Sequence, residues 1–426
     1  MQNRLITPPN EILTALLKTP FKPKPLIING QEIPYMRIEI PIEIDDIFAF
    51  LKAQTLYPKI YWENPEDGIV AGIGSALLLD SLPLFESQEG PRFFGGSDFM
   101  KRSRDNWGNF PETSYFLPLI EIERRESGIF LCINRVQENL DLHLIEENPL
   151  KTPATMINRL DFPPFPVWEH EVNEILQGIK REDYLKVVLA RLTQFEFEES
   201  LSPYALLKNL EGKNRFSFQF SPETAFIGVS PETLYRRKKS CIESAAVAGT
   251  CPRGKTETRD EMLMNDLINN PKEQHEFRVV KNRIHEALSP LCESLEVQDQ
   301  KVLKTPTVQH LYHTFQGTLK EGIRDAALIE ALHPTPAVGG SPKKEAFDEI
   351  GRREQFDRGW YAAPVGWVSP IEAHHLVGIR SALIEKNYLH LFAGTGIVLG
   401  SIPSKEWDEL EHKIKQYVRV LRVNSL

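Results

Sequence analysis

Leu185-Lys186-Val187-Val188-Leu189-Ala190-Arg191-Leu192 reads as a strand set among apolar neighbours. Alternation along a strand puts Lys186 on the same face as Val188, Ala190 and Leu192. A charged lysine is costly there, and desolvation lowers its pKa. A lysine brought close to neutrality can act as a general base. An edge lysine that snorkels to water gives the same pattern, so the strand by itself leaves both readings open.

Working outward, residues 215–220, 225–229 and 233–237 read as further strands. Residues 168–180 carry Trp168, Val172, Ile175, Leu176 and Ile179 at helical spacing. A helix is predicted over 257–269. Another begins at Asn270-Pro271, with asparagine as cap and proline at the first helical position. Its inward stripe is Phe277, Val280, Ile284 and Leu288. Residues 377–384 and 388–393 read as a hairpin. The last helix covers 404–421, with Trp407, Leu410, Ile414, Val418 and Leu421 inward. Short aromatic or β-branched runs at 60–62, 68–76, 92–94 and 114–124 make the N-terminal part mainly β. Pro149, Pro153, Pro163, Pro164 and Pro166 mark a boundary between residues 1–160 and residues 161–426. Strand runs followed by helix runs predict an α+β fold.

The chain has 426 residues, 41% of them hydrophobic and 26% charged, which is ordinary for a globular protein. Its formal charge of −9 comes with no basic face, so no nucleic-acid partner is expected. Arg236-Arg237-Lys238-Lys239 and Arg352-Arg353 read as solvated strand or turn ends. Cys132, Cys241, Cys251 and Cys292 are far apart and form no CxxC pair, which argues against a zinc site or a disulfide framework. Glu11 and Lys18 interrupt the apolar run near the N-terminus, unlike a signal peptide. The longest apolar stretch, 69–79, is too short to span a bilayer. A cytoplasmic protein without a membrane partner is expected.

Several residues could carry chemistry. Glu232 follows Ser230-Pro231 at a strand end; it is either an acid held protonated by apolar strands or a solvent-facing turn glutamate. Glu273 and Glu276, and again Glu406 and Glu409, stand three apart on predicted helices, so each pair shares a face. Two such faces meeting would suit Mg²⁺; either pair alone also fits surface decoration. Gly249-Thr250, Pro252-Arg253-Gly254 and Ala393-Gly394-Thr395-Gly396 would let backbone N–H groups approach an anion, or form plain tight turns. Arg380, read as part of a strand, needs a carboxylate partner from the protein or a ligand. His310, His313, His374 and His375 read as polar contacts rather than zinc ligands. No GxSxG elbow supports a serine hydrolase.

Taken in order, these pieces resemble the chorismate-utilising enzymes. The residues that carry the likeness are Lys186 to Arg191 as quoted, Ser230-Pro231-Glu232, Ala248-Gly249-Thr250 with Pro252-Arg253-Gly254, and Lys272-Glu273 with Glu276. They continue in Thr307-Val308-Gln309-His310-Leu311, Leu332-His333-Pro334-Thr335-Pro336-Ala337, Phe356-Asp357-Arg358, Ile379-Arg380-Ser381-Ala382, Ala393 to Ile397, and Glu406-Trp407-Asp408-Glu409. The likeness covers about 167–421, with weaker echoes at Tyr61-Trp62 and Phe93-Phe94-Gly95-Gly96.

The resemblance implies one large chorismate-binding domain of layered antiparallel sheets flanked by helices, with 161–426 as its catalytic region. It implies Lys186 as the base that activates water for attack at C2 of the ring, and Glu232 as the acid for the departing C4 hydroxyl. It implies Glu276 and Glu409 as Mg²⁺ ligands supported by Glu273 and Glu406. It places Gly249, Thr250, His310, Tyr361, Arg380, Gly396 and Lys413 against chorismate. Lys186 and Ala248 favour water over ammonia as nucleophile. Within the family the likeness is to isochorismate synthases of the menaquinone or siderophore type, acting as a monomer or homodimer. Salicylate synthases, which go on to eliminate pyruvate, and then anthranilate-type synthases are the alternatives. Phe277 departs from the family pattern, which often has histidine there.

Overall fold

The computed structural model describes residues 9–138, 142, 144–145, 155–304 and 308–421; the side chains of residues 9–12, 272 and 276 lie outside the description. From the amino end come α1 (Pro9–Leu17), β1 (Lys24–Ile28), β2 (Gln31–Pro41), α2 (Ile47–Ala53), β3 (Lys59–Asn64), β4 (Gly68–Leu79), β5 (Phe93–Ser97), β6 (Thr113–Arg125), β7 (Gly128–Arg135) and β8 (Met156–Phe162). Next are α3 (Phe165–Lys180), β9 (Lys186–Phe197), α4 (Pro203–Asn209), β10 (Arg215–Gln219), β11 (Thr224–Val229), β12 (Thr233–Lys238), β13 (Cys241–Pro252), α5 (Glu257–Asn269), α6 (Pro271–Leu288), β14 (Cys292–Val297), β15 (Lys301–Lys304) and β16 (Val308–Leu319). Last come α7 (Asp325–Leu332), β17 (Gly340–Ser341), α8 (Lys343–Arg353), β18 (Pro364–Val368), β19 (Glu372–Val377), β20 (Ser381–Glu385), β21 (Tyr388–Ile397) and α9 (Pro403–Val420).

The strand pairings are antiparallel and form two arms that meet at β6. One arm runs β4-β3-β10-β11-β20-β21-β9-β8. The other runs β5-β18-β19-β12-β13-β16, with β14 and β15 sharing the far edge of β16. β6 pairs with both β4 and β5. Helix α9 packs on β21 and α6 on β13, so each arm carries a helix near the site. Strands from before residue 160 pair with strands from after it in both arms, β3 with β10 and β5 with β18. The result is one large α+β domain in which a broad antiparallel sheet is flanked by helices.

The chain passes between the arms in two short connections, residues 230–232 after β11 and residues 378–380 after β19. The two are fastened to each other. Ser230 Oγ donates to the Val377 carbonyl at 2.7 Å, and Val377 N–H donates to the Glu232 carbonyl at 3.0 Å. Val229 N–H donates to the Arg380 carbonyl at 3.1 Å. These backbone groups have left their ladders and are buried, so partners across the gap satisfy them. Beside them Trp360 packs edge-on against Phe110 and Phe218 at 5.0 and 5.2 Å.

The predicted periodicities largely hold. Helix α5 has the predicted bounds, and Phe277, Val280, Ile284 and Leu288 are buried on α6. Asn270 caps α6, accepting the Glu273 N–H at 3.3 Å.

Five readings need correction. Arg380 is not in a strand: β19 ends at Val377, β20 begins at Ser381, and Arg380 turns the chain at φ +52°. The hairpin is therefore β20 with β21, shorter at its start than the apolar run suggested. Leu185 lies outside β9 and is exposed. On α9 the buried face includes Glu406 and Tyr417, whereas Trp407 and Val418 are half-buried. The two basic runs are not wholly solvated, because alternation and helical rotation each turn one member inward. Arg237 meets Asp325 at 2.8 Å, and Arg353 pairs with Glu171 and Glu349. Pro166 sits in the first turn of α3, where its missing N–H costs nothing. Pro149, Pro153 and Thr307 lie outside the described residues. Among the described residues the four cysteines are unbridged, and no helix is long and apolar enough to cross a membrane.

Candidate active site

Lys186 opens β9 and is 2% exposed. Its strand is held on both edges. On one side β21 pairs Ile397 with Val187 and Gly396 with Val188. On the other side β17 places Ser341 opposite Lys186 and Gly340 opposite Val187. Gly340 has φ +143°, and a Cβ there would lie 2.3 Å from the Lys186 carbonyl, so only glycine allows this approach. Beyond β17 two side chains continue the ladder. Glu354 Oε1 accepts the Ala190 N–H at 2.8 Å, and Arg358 Nη2 donates to the Val188 carbonyl at 2.8 Å. The pair is buried and mutually bonded, with Arg358 Nη2 2.6 Å from Glu354 Oε1. Each charge thus has a partner where an isolated one would be strongly unfavourable.

Glu232 stands in the connection between the arms and is 4% exposed, so the solvent-facing turn reading is excluded. Burial pushes its carboxyl up to about 7, against the opposing pull of Lys186, the Thr335 hydroxyl and Lys413. Thr335 Oγ1 lies 3.5 Å from Glu232 Oε1, at the outer limit of a hydrogen bond. Lys186 and Glu232 therefore act on each other electrostatically inside one buried region.

Helix α9 brings acids to the same region. Glu406 is buried and its Oε2 accepts the Thr395 hydroxyl at 2.6 Å. Glu409, one turn on, meets Lys413 Nζ at 2.5 Å, and its side chain is 39% exposed. Burial raises the Glu409 carboxyl, but Lys413, the Thr395 hydroxyl and, more weakly, Lys186 outweigh it and hold the group below the usual range. Lys413 Nζ also donates to the Gly394 carbonyl at 2.8 Å, tying the helix to β21. Tyr361 reaches the same glycine: a Cβ on Gly394 would come within 3.0 Å of its hydroxyl. Burial pushes the Tyr361 phenol up to about 12, so it is neutral. Arg380 Nη1 donates to the Lys413 carbonyl at 3.3 Å.

The second arm supplies the opposite wall. The pairing of β13 with β16 slips between Ala248 and Thr250, leaving Gly249 as a bulge at φ +70°. The bulge turns Thr250 N–H onto Glu273 Oε2 at 2.9 Å, and Thr250 Oγ1 lies 3.1 Å from His310 Nδ1. Burial, with Arg380 adding to it, pushes His310 down to about 4, so its ring is neutral. His310 also feels Lys413 and Glu409, which places the α6 side and the α9 side around one space. Phe277 stacks on His313 at 5.2 Å, an aromatic contact behind this wall. The Glu276 side chain lies outside the described residues, and among those described no three acidic, histidine or cysteine side chains are gathered closely enough to hold a metal ion.

Thus Lys186, Glu232, Glu409, Lys413, Arg380, His310 and Tyr361 are joined by contacts or mutual charge effects, with Gly249, Thr250, Glu273, Glu406 and Gly396 in the supporting backbone and helices. Sequence reasoning assigned no role to Thr335, Thr395, Glu354 or Arg358. All four fall in motifs quoted above or directly beside one. A glutamate and arginine four apart ahead of a buried aromatic run was the available signal for the last two.

Residues 82–422 match the family model described as chorismate binding enzyme. The isochorismate synthase MenF of Bacillus subtilis is 35% identical over 359 residues, covering 79% of this chain and 76% of that protein. Isochorismate synthase 2 of Arabidopsis thaliana, a chloroplastic protein, is 34% identical over 398 residues, covering 84% of this chain and 71% of its own length. The solved structure of the menaquinone-specific isochorismate synthase MenF from Escherichia coli superposes with a TM-score of 0.84 at 27% identity, covering 96% of this chain and 98% of that one. With the match spanning both arms and both helices of the site, this chain belongs to the chorismate-binding enzyme family.

Proposed function

We propose that the protein is an isochorismate synthase, adding water at C2 of chorismate and releasing the C4 hydroxyl as the ring double bond shifts. One observation carries this reading: Lys186 and Glu232 are buried together, and the acid is raised to about 7 while feeling the lysine's charge. In its neutral amine form Lys186 takes a proton from the attacking water, and Glu232 gives one to the leaving hydroxyl. The water gained and the water lost balance, so the net change is an isomerisation. A carboxyl near neutrality is protonated often enough to act as an acid at physiological pH. Arg380, Lys413 and the backbone around Gly249 and Gly396 would receive the two carboxylates of chorismate, whose charges need cationic and N–H partners. His310, neutral, and Tyr361, neutral, would offer hydrogen bonds without adding charge.

Magnesium fits the donor chemistry. Glu273, Glu276, Glu406 and Glu409 offer only oxygen, which suits this hard cation. Bound there, Mg²⁺ would supply positive charge for the ring carboxylate. The designations of the bacterial relatives favour menaquinone synthesis over siderophore synthesis as the destination.

The test is product analysis by HPLC after incubation with chorismate and Mg²⁺, with EDTA and ammonium arms. Isochorismate as sole product, lost with EDTA and restored by Mg²⁺, is the expected result. Salicylate and pyruvate without added lyase would move the protein to the salicylate synthases. An aminated product would move it to the anthranilate type.

A further inference from the structure

Strand β9 presents Lys186 and Arg191 on opposite faces, since they are an odd number of residues apart. Arg191 is fully buried, and its guanidinium meets α9. Its Nη2 lies 2.7 Å from Glu411 Oε1, and its carbon centre sits 4.2 Å from the Trp407 ring. Trp407 and Glu411 are one helical turn apart, so a single side chain grips two rungs of the helix. The grip has a base of its own. Arg191 Nε is 3.4 Å from Asp161 on β8, which accepts the Thr193 hydroxyl at 2.7 Å. Arg159 on β8 also meets Glu411 at 2.5 Å. Two arginines and two carboxylates balance in charge.

The opposite flank of α9 is fixed separately, by Thr395 on Glu406 at 2.6 Å and by Lys413 on the Gly394 carbonyl at 2.8 Å. A helix fastened along only one flank can roll about that line. Fastened along two, it cannot, and the carboxylates it carries keep their direction.

We propose that Arg191 is a positioning residue: by clamping Glu411 and Trp407 it sets the roll of α9, and so aims Glu406 and Glu409 at the divalent cation. This rests on the metal site proposed above. The planar fork is what allows a carboxylate contact and an indole stack at once, a combination lysine cannot reproduce.

The test measures Mn²⁺ binding to the purified protein by electron paramagnetic resonance in wild type, Arg191→Met, Arg191→Lys and Glu411→Gln. The expected result is a roughly tenfold weaker Mn²⁺ affinity for Arg191→Met, in the range known for groups that orient metal ligands. Arg191→Lys falls between, and the double variant Arg191→Met/Glu411→Gln loses less than the sum of the two single losses, because both remove the Arg191–Glu411 contact. The Mg²⁺ concentration for half-maximal activity rises in parallel, while KM for chorismate at saturating Mg²⁺ stays within about twofold. Glu411 is 35% exposed, so Glu411→Gln keeps the test available if Arg191→Met fails to fold. Unchanged Mn²⁺ affinity in Arg191→Met and in Glu411→Gln, even with a lower melting temperature, would make Arg191 merely structural and overturn the proposal. Wild type that binds no Mn²⁺ overturns the metal site itself, a result separable from the activity reading, which the product analysis tests.

Discussion

Among the described residues two strands begin with a buried lysine, and the two lysines do opposite things. Lys59 opens β3 at 1% exposure, and Lys186 opens β9 at 2%. Each precedes a run of apolar residues. Lys59 Nζ donates to the Leu51 and Gln54 carbonyls at 2.8 and 2.6 Å, closing the C-terminal end of α2, and it lies 4.6 Å from the Tyr57 ring. Among the described residues no carboxylate enters this arrangement, and burial pushes the ammonium down to about 8. Lys186 instead acts on two carboxylates, Glu232 and Glu409, across the space between the arms. A lysine that caps a helix is structural wherever it sits. One that shares a buried space with a protonatable acid can exchange protons with a substrate held between them.

The largest effect expected separates the two. Lys186→Ala should lower kcat by roughly 10²–10⁴-fold, the usual contribution of a positioned base. Chorismate should still bind, as read by equilibrium titration, and melting should change little. Lys59→Met should leave kcat within about twofold and cost about 1–3 kcal/mol in chemical denaturation, since two buried carbonyls lose their donor. The pH dependence has a definite sign. The folded pKa of Lys59 is below its unfolded value, so between about 8 and about 10.5 the unfolded chain binds more protons and stability rises with pH. Wild type should gain stability across that window relative to Lys59→Met. Loss of turnover in Lys59→Met, or full turnover in Lys186→Ala, would reverse the assignment.

The sequence made Lys186 legible as a candidate and passed over Lys59, although the local pattern is the same. What distinguished Lys186 was the ordered set of motifs around it, not the strand. Helices α5 and α6 were readable because Asn270-Pro271 and the stripe from Phe277 to Leu288 act within a few turns. The connection at Arg380 was not, because the apolar run continues through Gly378-Ile379 and nothing local announces a change of arm. The fastening of Ser230 to Val377 joins residues 147 apart, and the bond from Glu354 to Ala190 joins residues 164 apart. Such contacts depend on how the arms meet and leave no periodic trace. The pairing of Glu409 with Lys413 was visible as an i,i+4 spacing, and the structure forms it.

An intermediate effect concerns the acid. Glu232 is raised to about 7, above its unfolded value, so the folded protein holds its proton between about 4.5 and about 7 and releases it above. As a general acid it should give kcat/KM an alkaline limb that falls tenfold per pH unit once pH exceeds about 7. The same proton linkage makes this group's contribution to stability decrease as pH rises through that window. Glu232→Gln should remove the limb along with most of the rate, leaving a residual activity flat across the range. A Glu232→Gln enzyme that kept the limb would assign it to another group. Lys186→Ala, by removing a positive charge that favours the carboxylate, should move the Glu232 titration upward, whereas Lys59→Met should leave it in place. The contrast between the two lysines would then be read directly from one acid.

The smallest effect tests what sets that acid. Burial is the leading cause of its shift, and the Thr335 hydroxyl opposes it only weakly, at 3.5 Å. A contact at that length contributes little, because hydrogen bonds between oxygens are strongest nearer 2.7–2.8 Å. Thr335→Val keeps the shape and deletes the donor, so the alkaline limb should rise by only about 0.3 of a pH unit, worth roughly 0.4 kcal/mol. A shift of a full unit would mean that the hydroxyl moves closer when chorismate is bound, and that the acid is tuned by a hydrogen bond made with substrate in place. A small shift would leave the apolar walls of the two arms as the cause, and would explain why the acid sits at the connection between them, where both arms exclude water at once.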